Sequence, residues 1–310
     1  MSNRRSSFSY AGTKLAVAFL CATAVSFAFA SEPIAPYFSD SFHNGTGRGP
    51  EMVVLRAGEF MMGTYPDDPA YTLYTLPHRV VLSPFAMGRF SVTNREFADF
   101  LNDRAYTRAL VDTLIQVDRT PGLQFSESDS RVAVRTGSSE LPVTGVTWQG
   151  AIEYSRWLSK RTGQNYAIPT EAQWEYAARA DSTTVWPWGD KFDPKQINCA
   201  TTVSEEGALP ARSLKPNRFG LYGIPGNVWE WMLDCLDLTF YFHSPVHDPV
   251  WLQADCPAPM IRGGSFRDPV YQCSPGYRVN YFDRGSWDGI GFRVVRSIGA
   301  GESRNSGDRP

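Results

Sequence analysis

The stretch Pro169-Thr170-Glu171-Ala172-Gln173-Trp174-Glu175-Tyr176-Ala177-Ala178-Arg179 holds a helix start and a buried stripe together. Thr170 supplies an acceptor hydroxyl, and Gln173 stands where its side chain can return to the cap, so a helix is predicted from Glu171. Trp174, Ala177 and Ala178 then share one face. Upstream, Thr93 before Asn94-Arg95-Glu96 repeats the signature, with Phe97, Phe100 and Leu101 aligned behind it. A third helix is predicted from about Trp148 to Arg161, with Ala151, Ile152, Ser155 and Leu158 aligned and Gly163 placed to stop it.

Beyond these helices the elements shorten. Met52-Val53-Val54-Leu55 and Arg79-Val80-Val81-Leu82 read as strands around the turn-rich stretch Gly63 to Pro77. Residues 103–140 are polar, without a clear period, and read as a long surface excursion. After Arg179 short segments alternate with Gly, Pro and Asn. With 26 Gly and 22 Pro in 310 residues, a helical bundle is excluded and an irregular α+β domain is predicted. No repeat of 20 to 50 residues occurs.

The first thirty residues differ in kind. Arg4, Arg5 and Lys14 lead into the apolar run Leu15 to Phe29, and Ala28-Phe29-Ala30 is a cleavage pattern, so residues 1–30 read as a signal peptide and the mature protein as periplasmic or secreted. The run is shorter than the roughly 20 residues a membrane span needs, so no span is expected after cleavage. Deleting this segment removes three cations and no acids, which takes the formal net charge from -2 to -5. That balance excludes the basic footprint of a nucleic-acid binder. Four of the five cysteines remain, Cys199, Cys235, Cys256 and Cys273, where disulfides are permitted in three connectivities. Residues 31–50 read as a linker and 298–310 as a disordered tail.

An ordered set of motifs spans residues 51–297: Gly58-Glu59-Phe60-Met61-Met62-Gly63, Val92-Thr93-Asn94, Pro142-Val143-Thr144-Gly145-Val146-Thr147-Trp148, the quoted Pro169 to Arg179, Pro187-Trp188-Gly189, Gly226-Asn227-Val228-Trp229-Glu230-Trp231, Arg262-Gly263-Gly264-Ser265 and Gly291-Phe292-Arg293-Val294. Together they resemble the formylglycine-generating enzyme, or sulfatase-modifying factor, family. The resemblance implies a C-type-lectin-like α+β fold with little regular secondary structure, often calcium-stabilised.

Members that activate sulfatases hold copper(I) between two cysteines five residues apart, shortly after Arg-Gly-Gly-Ser. Counted the same way, these positions are Asp268 and Cys273. A hard carboxylate suits copper(I) poorly, so copper-dependent formylglycine formation is not expected here. Cys273 has two readings: a free thiolate acting beside Asp268, or a structural partner of Cys199. The resemblance implies a bond between Cys235 and Cys256. It also implies calcium held by the carbonyls of Gly226 and Val228 with the carboxylate of Glu230, and a second ion at Asn198 and the carbonyl of Cys199. Gly223 stands where the family offers another oxygen to the first ion, so that set is one ligand short. Arg267, Tyr271, Tyr277, Arg278, Tyr281 and Trp287 fall in the region that lines the family's substrate groove.

The implied function is maturation or oxidoreductase-type chemistry on a peptide or peptide-derived molecule, or service to a periplasmic protein. Family precedents are periplasmic proteins needed for siderophore chromophore formation of the pyoverdine type and proteins accompanying copper nitrite reductases. The alternative is a noncatalytic lectin-like binding module for a protein or glycan.

Overall fold

The computed structural model describes residues 36–299, except 105, 201–206 and 283–286. Residues 1–30, read as a signal, and residues 300–310 of the tail lie outside this set. No helix among the described residues is long and apolar enough to cross a membrane.

Among the described residues four α-helices form where the local chemistry starts them: α1 (Asn94–Arg104), α2 (Arg108–Leu114), α3 (Trp148–Thr162) and α4 (Glu171–Arg179). Thr170 Oγ1 accepts from Gln173 N at 3.1 Å while Gln173 Oε1 accepts from Thr170 N at 3.1 Å, a reciprocal cap on α4. Glu96 closes the same box on Thr93 at the head of α1. Gly163 ends α3 at φ 70°, a conformation that costs a residue without Cβ little.

Five short strands make an antiparallel sheet in the order Tyr37–Phe38, Met52–Leu55, Phe85–Gly88, Val295–Ser297, Tyr166–Ala167. A second sheet runs Arg278–Asn280, Pro259–Arg262, Trp229–Cys235, Ile290–Gly291, with only the last pair parallel. This is the irregular α+β architecture predicted from the sequence. Phe97, Phe100, Tyr154 and Phe292 stack edge to face between α1, α3 and the sheets. Each buried Phe contributes about 1.5–3 kcal/mol from removal of apolar surface.

Two expectations need correction. The linker assigned to 31–50 belongs to the domain from Tyr37: Phe42 packs on Trp157, Tyr166 Oη donates to Asp40 at 2.6 Å, and Arg296 pairs with Asp40 at 3.0 Å. The expected excursion at 103–140 contains α2 and a hairpin of Leu123–Ser126 with Arg131–Val134. Its polar composition hides Val111, Leu114, Ile115, Leu123 and Val132, which are buried in the main core.

Candidate functional site

The loop after Arg262 is built by close approach. Gly263 and Gly264 adopt φ of 104° and 70°, and a Cβ at Gly264 would lie 2.6 Å from Cys273 Sγ. Only glycine takes that conformation and that proximity together. Arg262, fully buried, donates to the carbonyls of Pro275 and Tyr277, each at 3.2 Å, and so ties the strand to the far end of the loop.

Cys273 is bonded to Cys199, and Cys235 to Cys256. Both sulfurs of the first pair are fully buried. Asp268 is half-buried, and its Oδ2 accepts from Trp229 Nε1 at 2.8 Å, from Ser265 N at 3.0 Å and from the Ser265 hydroxyl. Its Oδ1 accepts no hydrogen bond from the described residues. A disulfide sulfur has no thiolate to give, so Asp268 and Cys273 do not fit a copper(I) ion.

Around this loop the predicted groove residues separate. Tyr277 meets Tyr271 edge-on at 5.7 Å and Trp229 at 6.0 Å. Burial, then Tyr271 and Asp268, push the Tyr277 hydroxyl above its ordinary range. Arg267 is exposed and paired with Asp288 at 2.7 Å. Tyr281 packs against Trp231, and Trp287 lies half-buried against the main core. Arg278 leaves the groove altogether. It binds Glu171 through two hydrogen bonds, at 3.1 and 2.7 Å, beneath the surface, with its guanidinium over Tyr241. The correction has an electrostatic cause: Glu171 is buried and needs a cation.

Glu171 belongs to a buried ionic cluster that sequence reading missed. Glu175 accepts from Arg179 at 2.8 Å and Gly63 N at 2.9 Å and pairs with Arg262. Burial pushes its carboxyl up, but Arg179 and Arg262 outweigh it and hold the group below its ordinary value. The available signal was four acids and arginines inside two quoted motifs, Glu171, Glu175, Arg179 and Arg262, on a face otherwise apolar.

The calcium assignment at Glu230 does not fit. Arg293 Nε lies 3.0 and 2.7 Å from its two oxygens, Ser91 Oγ donates at 2.8 Å and Trp174 Nε1 at 2.7 Å. These four contacts use the acceptor capacity of a carboxylate, and arginine already supplies the cation. The Gly226 carbonyl accepts from Val228 N at 2.9 Å. Asn198 is buried, with Nδ2 donating to Gly207 O and Asn227 Oδ1, and Cys199 is buried beside it. The nearest acids along the chain, Glu205 and Glu206, which the resemblance offers as the acidic ligand of that second ion, lie outside the described residues. Among the described residues no three His, Cys, Asp or Glu side chains gather as a metal-binding group.

Among the described residues an antiparallel five-stranded sheet, a mixed four-stranded sheet, four α-helices and a glycine-turned loop carrying an aspartate and a disulfide define a lectin-like domain of the formylglycine-generating type. The sulfatase-modifying factor enzyme 1-like domain matches residues 37–298, and the chain belongs to that family. It is 32% identical over 270 residues to the formylglycine-generating enzyme of Streptomyces coelicolor, covering 74% of this chain and 81% of that one. It is also 32% identical over 296 residues to the inactive C-alpha-formylglycine-generating enzyme 2 of Mus musculus, covering 82% and 88%. Among solved structures it is similar to PvdO from Pseudomonas aeruginosa, with TM-score 0.70 and 29% identity over 86% of this chain and all of that one.

Proposed function

We propose that this chain is an exported maturation factor of oxidoreductase type, acting beside Asp268 on a peptide or peptide-derived substrate without the copper chemistry of sulfatase activators. The observation that carries this reading is Asp268, a half-buried carboxylate at the position of a family metal ligand. Trp229 and Ser265 fix one of its oxygens, and the other is left to receive a substrate proton. Likeness to PvdO along that protein's whole length supports a role of the pyoverdine-chromophore type. Export rests on Arg4, Arg5, Lys14 and the apolar run that follows.

The test incubates a chain lacking residues 1–30 with peptide precursors of such a chromophore and reads their mass. Oxidative maturation under air transfers two electrons and two protons from the substrate to dissolved dioxygen, giving hydrogen peroxide and lowering substrate mass by two hydrogens, and Asp268→Asn slows it by about 10²–10⁴-fold, the range for a proton-transferring group. Unchanged masses, or an unimpaired Asp268→Asn, would sink the reading. The Cys199–Cys273 bond favours one other role, a noncatalytic binding module, because it removes the thiol. Equal retention of an unmodified peptide by the wild type and Asp268→Asn is its signature.

A further inference from the structure

The antiparallel hairpin of Gly58–Met62 with His78–Leu82 leaves one edge open. Its register sets Glu59 opposite Val81 and Met61 opposite Arg79. Val81 directs its backbone to the other side, donating to Val246 O at 2.7 Å and accepting from Asp248 N at 2.9 Å. In an antiparallel ladder, opposed residues alternate between exchanging both bonds and exchanging none. Glu59 and Val81 therefore exchange none, and neither do Met61 and Arg79 two residues along, so the N–H and C=O of Glu59 and Met61 point away from the partner strand. Gly63, next in that alternation, confirms the direction: its N–H donates to Glu175 Oε1 at 2.9 Å and its C=O accepts from Arg179 Nη2 at 2.6 Å. Helix α4 thus covers the edge at Gly63. Glu59 and Met61 are exposed, and their backbone groups meet no partner among the described residues. Neither lysine nor proline, the usual guards of an open edge, occurs from Gly58 to Met62.

Beside this edge lies a recess of about 180 Å³, lined by Glu59, Phe60, Met61, Tyr65, Tyr176 and Asp181 among others. That is room for one side chain rather than a whole ligand, which takes about 300–1,000 Å³. Phe60 and Tyr176 meet with ring centroids 5.5 Å apart, and Tyr65 is 50% exposed. The charges around the recess do not cancel. Arg179 is paired with Glu175 and Arg79 with Glu59, whereas Asp181 is exposed and unpaired among the described residues. Burial, then the charge of Asp181, push the Tyr176 hydroxyl above its ordinary value, as a carboxylate beside that ring would. Aromatic faces next to an unpaired carboxylate favour a cation.

We propose that the Gly58–Met62 edge is a docking site for an extended peptide, which adds as a further strand and sets a lysine or arginine side chain in the recess between the rings and Asp181. Main-chain bonds to Glu59 and Met61 supply affinity, and the recess supplies choice. The site goes beyond the proposed function, since no residue of the Asp268 loop lines it.

Calorimetric titration of the chain lacking residues 1–30 tests it with the acetylated, amidated heptapeptide Thr-Val-Thr-Lys-Thr-Val-Thr and its analogue carrying norleucine in place of lysine. The lysine peptide is expected to bind about 3- to 30-fold more tightly, the range of one cation–π contact with one exposed ion pair. Asp181→Asn lowers that preference, and asparagine tolerates the left-handed backbone at this position, φ 62°, so the fold is retained. Methylation of the peptide nitrogens reads the edge itself. Only alternate nitrogens face a neighbouring strand, so methylating one set abolishes binding and methylating the other leaves it. Asp268→Asn leaves the affinity unchanged.

Absence of binding, equal affinity for the two peptides, an undiminished lysine preference in Asp181→Asn, or the same response to both methylated sets overturns the inference. Lost affinity in Asp268→Asn would assign the peptide to the Asp268 loop and overturn it equally.

Discussion

Asp234 carries a charge that the fold resists. It is fully buried at the head of α4, where Oδ2 accepts from Glu171 N at 2.8 Å and Oδ1 from Trp251 N at 3.0 Å. Burial, then the charge of Glu171, push its carboxyl from 3.8 up to about 7. Between about pH 4 and 7 the folded protein keeps a proton that the unfolded chain has released. The stability contributed by Asp234 therefore falls as pH rises through that window and levels off above it. Urea midpoints measured from pH 4 to 8 should show this fall in the wild type, with the component missing from Asp234→Asn. Parallel profiles would place the titration on another group. Asp234 was invisible in the sequence, because its pressure comes first from burial in the folded core and then from Glu171, 63 residues away. Arg262 and Glu175 are likewise 87 residues apart. Asp268 and Cys273, by contrast, were legible by counting along one loop, since a local motif fixes their spacing.

At the scale of elements, what could be read was what the chain encodes within one turn of itself. The starts of α1 and α4 follow from Thr93 with Glu96 and Thr170 with Gln173, and the end of α3 from Gly163. Their buried faces follow from a period of 3.6 residues. Removing one cap tests how far α4 depends on local chemistry rather than packing. Thr170→Ala is expected to cost about 1 kcal/mol by freeing a donor of the first turn. The loss should appear in the urea midpoint with unchanged slope. No measurable change would mean that Trp174 and the Arg262 cluster alone hold the helix. The short elements of 103–140 escaped reading for the converse reason. Helix α2 has seven residues, only Val111 and Leu114 among them buried, and no acid in its first turn. The hairpin strands are four residues each, too short for alternation to stand out. Helix α2 takes its place by packing on α3, with Thr147 Oγ1, the α3 cap, donating to the carbonyls of Thr113 and Leu114. Contacts of that kind are written in two distant segments at once.

The whole molecule is held by two covalent ties of unequal reach. Cys235–Cys256 closes a separation of 21 residues around Phe240, Tyr241, Phe242 and Trp251, whereas Cys199–Cys273 closes 74 and joins the Asn198 segment to the Asp268 loop. In the chain-entropy model a loop of about 20 residues is worth about 3 kcal/mol and one of about 75 about 4.5 kcal/mol. Replacing both Cys199 and Cys273 by alanine is therefore expected to destabilise the fold more than the same change at Cys235 and Cys256. All four sulfurs are buried, so lost packing weighs on the two pairs alike and the difference reports loop length. The chain lacking residues 1–30 should release no thiol to Ellman's reagent in denaturant before reduction and four after it. The longer tie also bears on chemistry, since it holds the Asp268 loop against the Asn198 segment while removing the thiol. If the Cys199 and Cys273 double variant stays folded yet loses substrate turnover, the bond positions Asp268. If turnover survives at full rate, the bond serves stability alone.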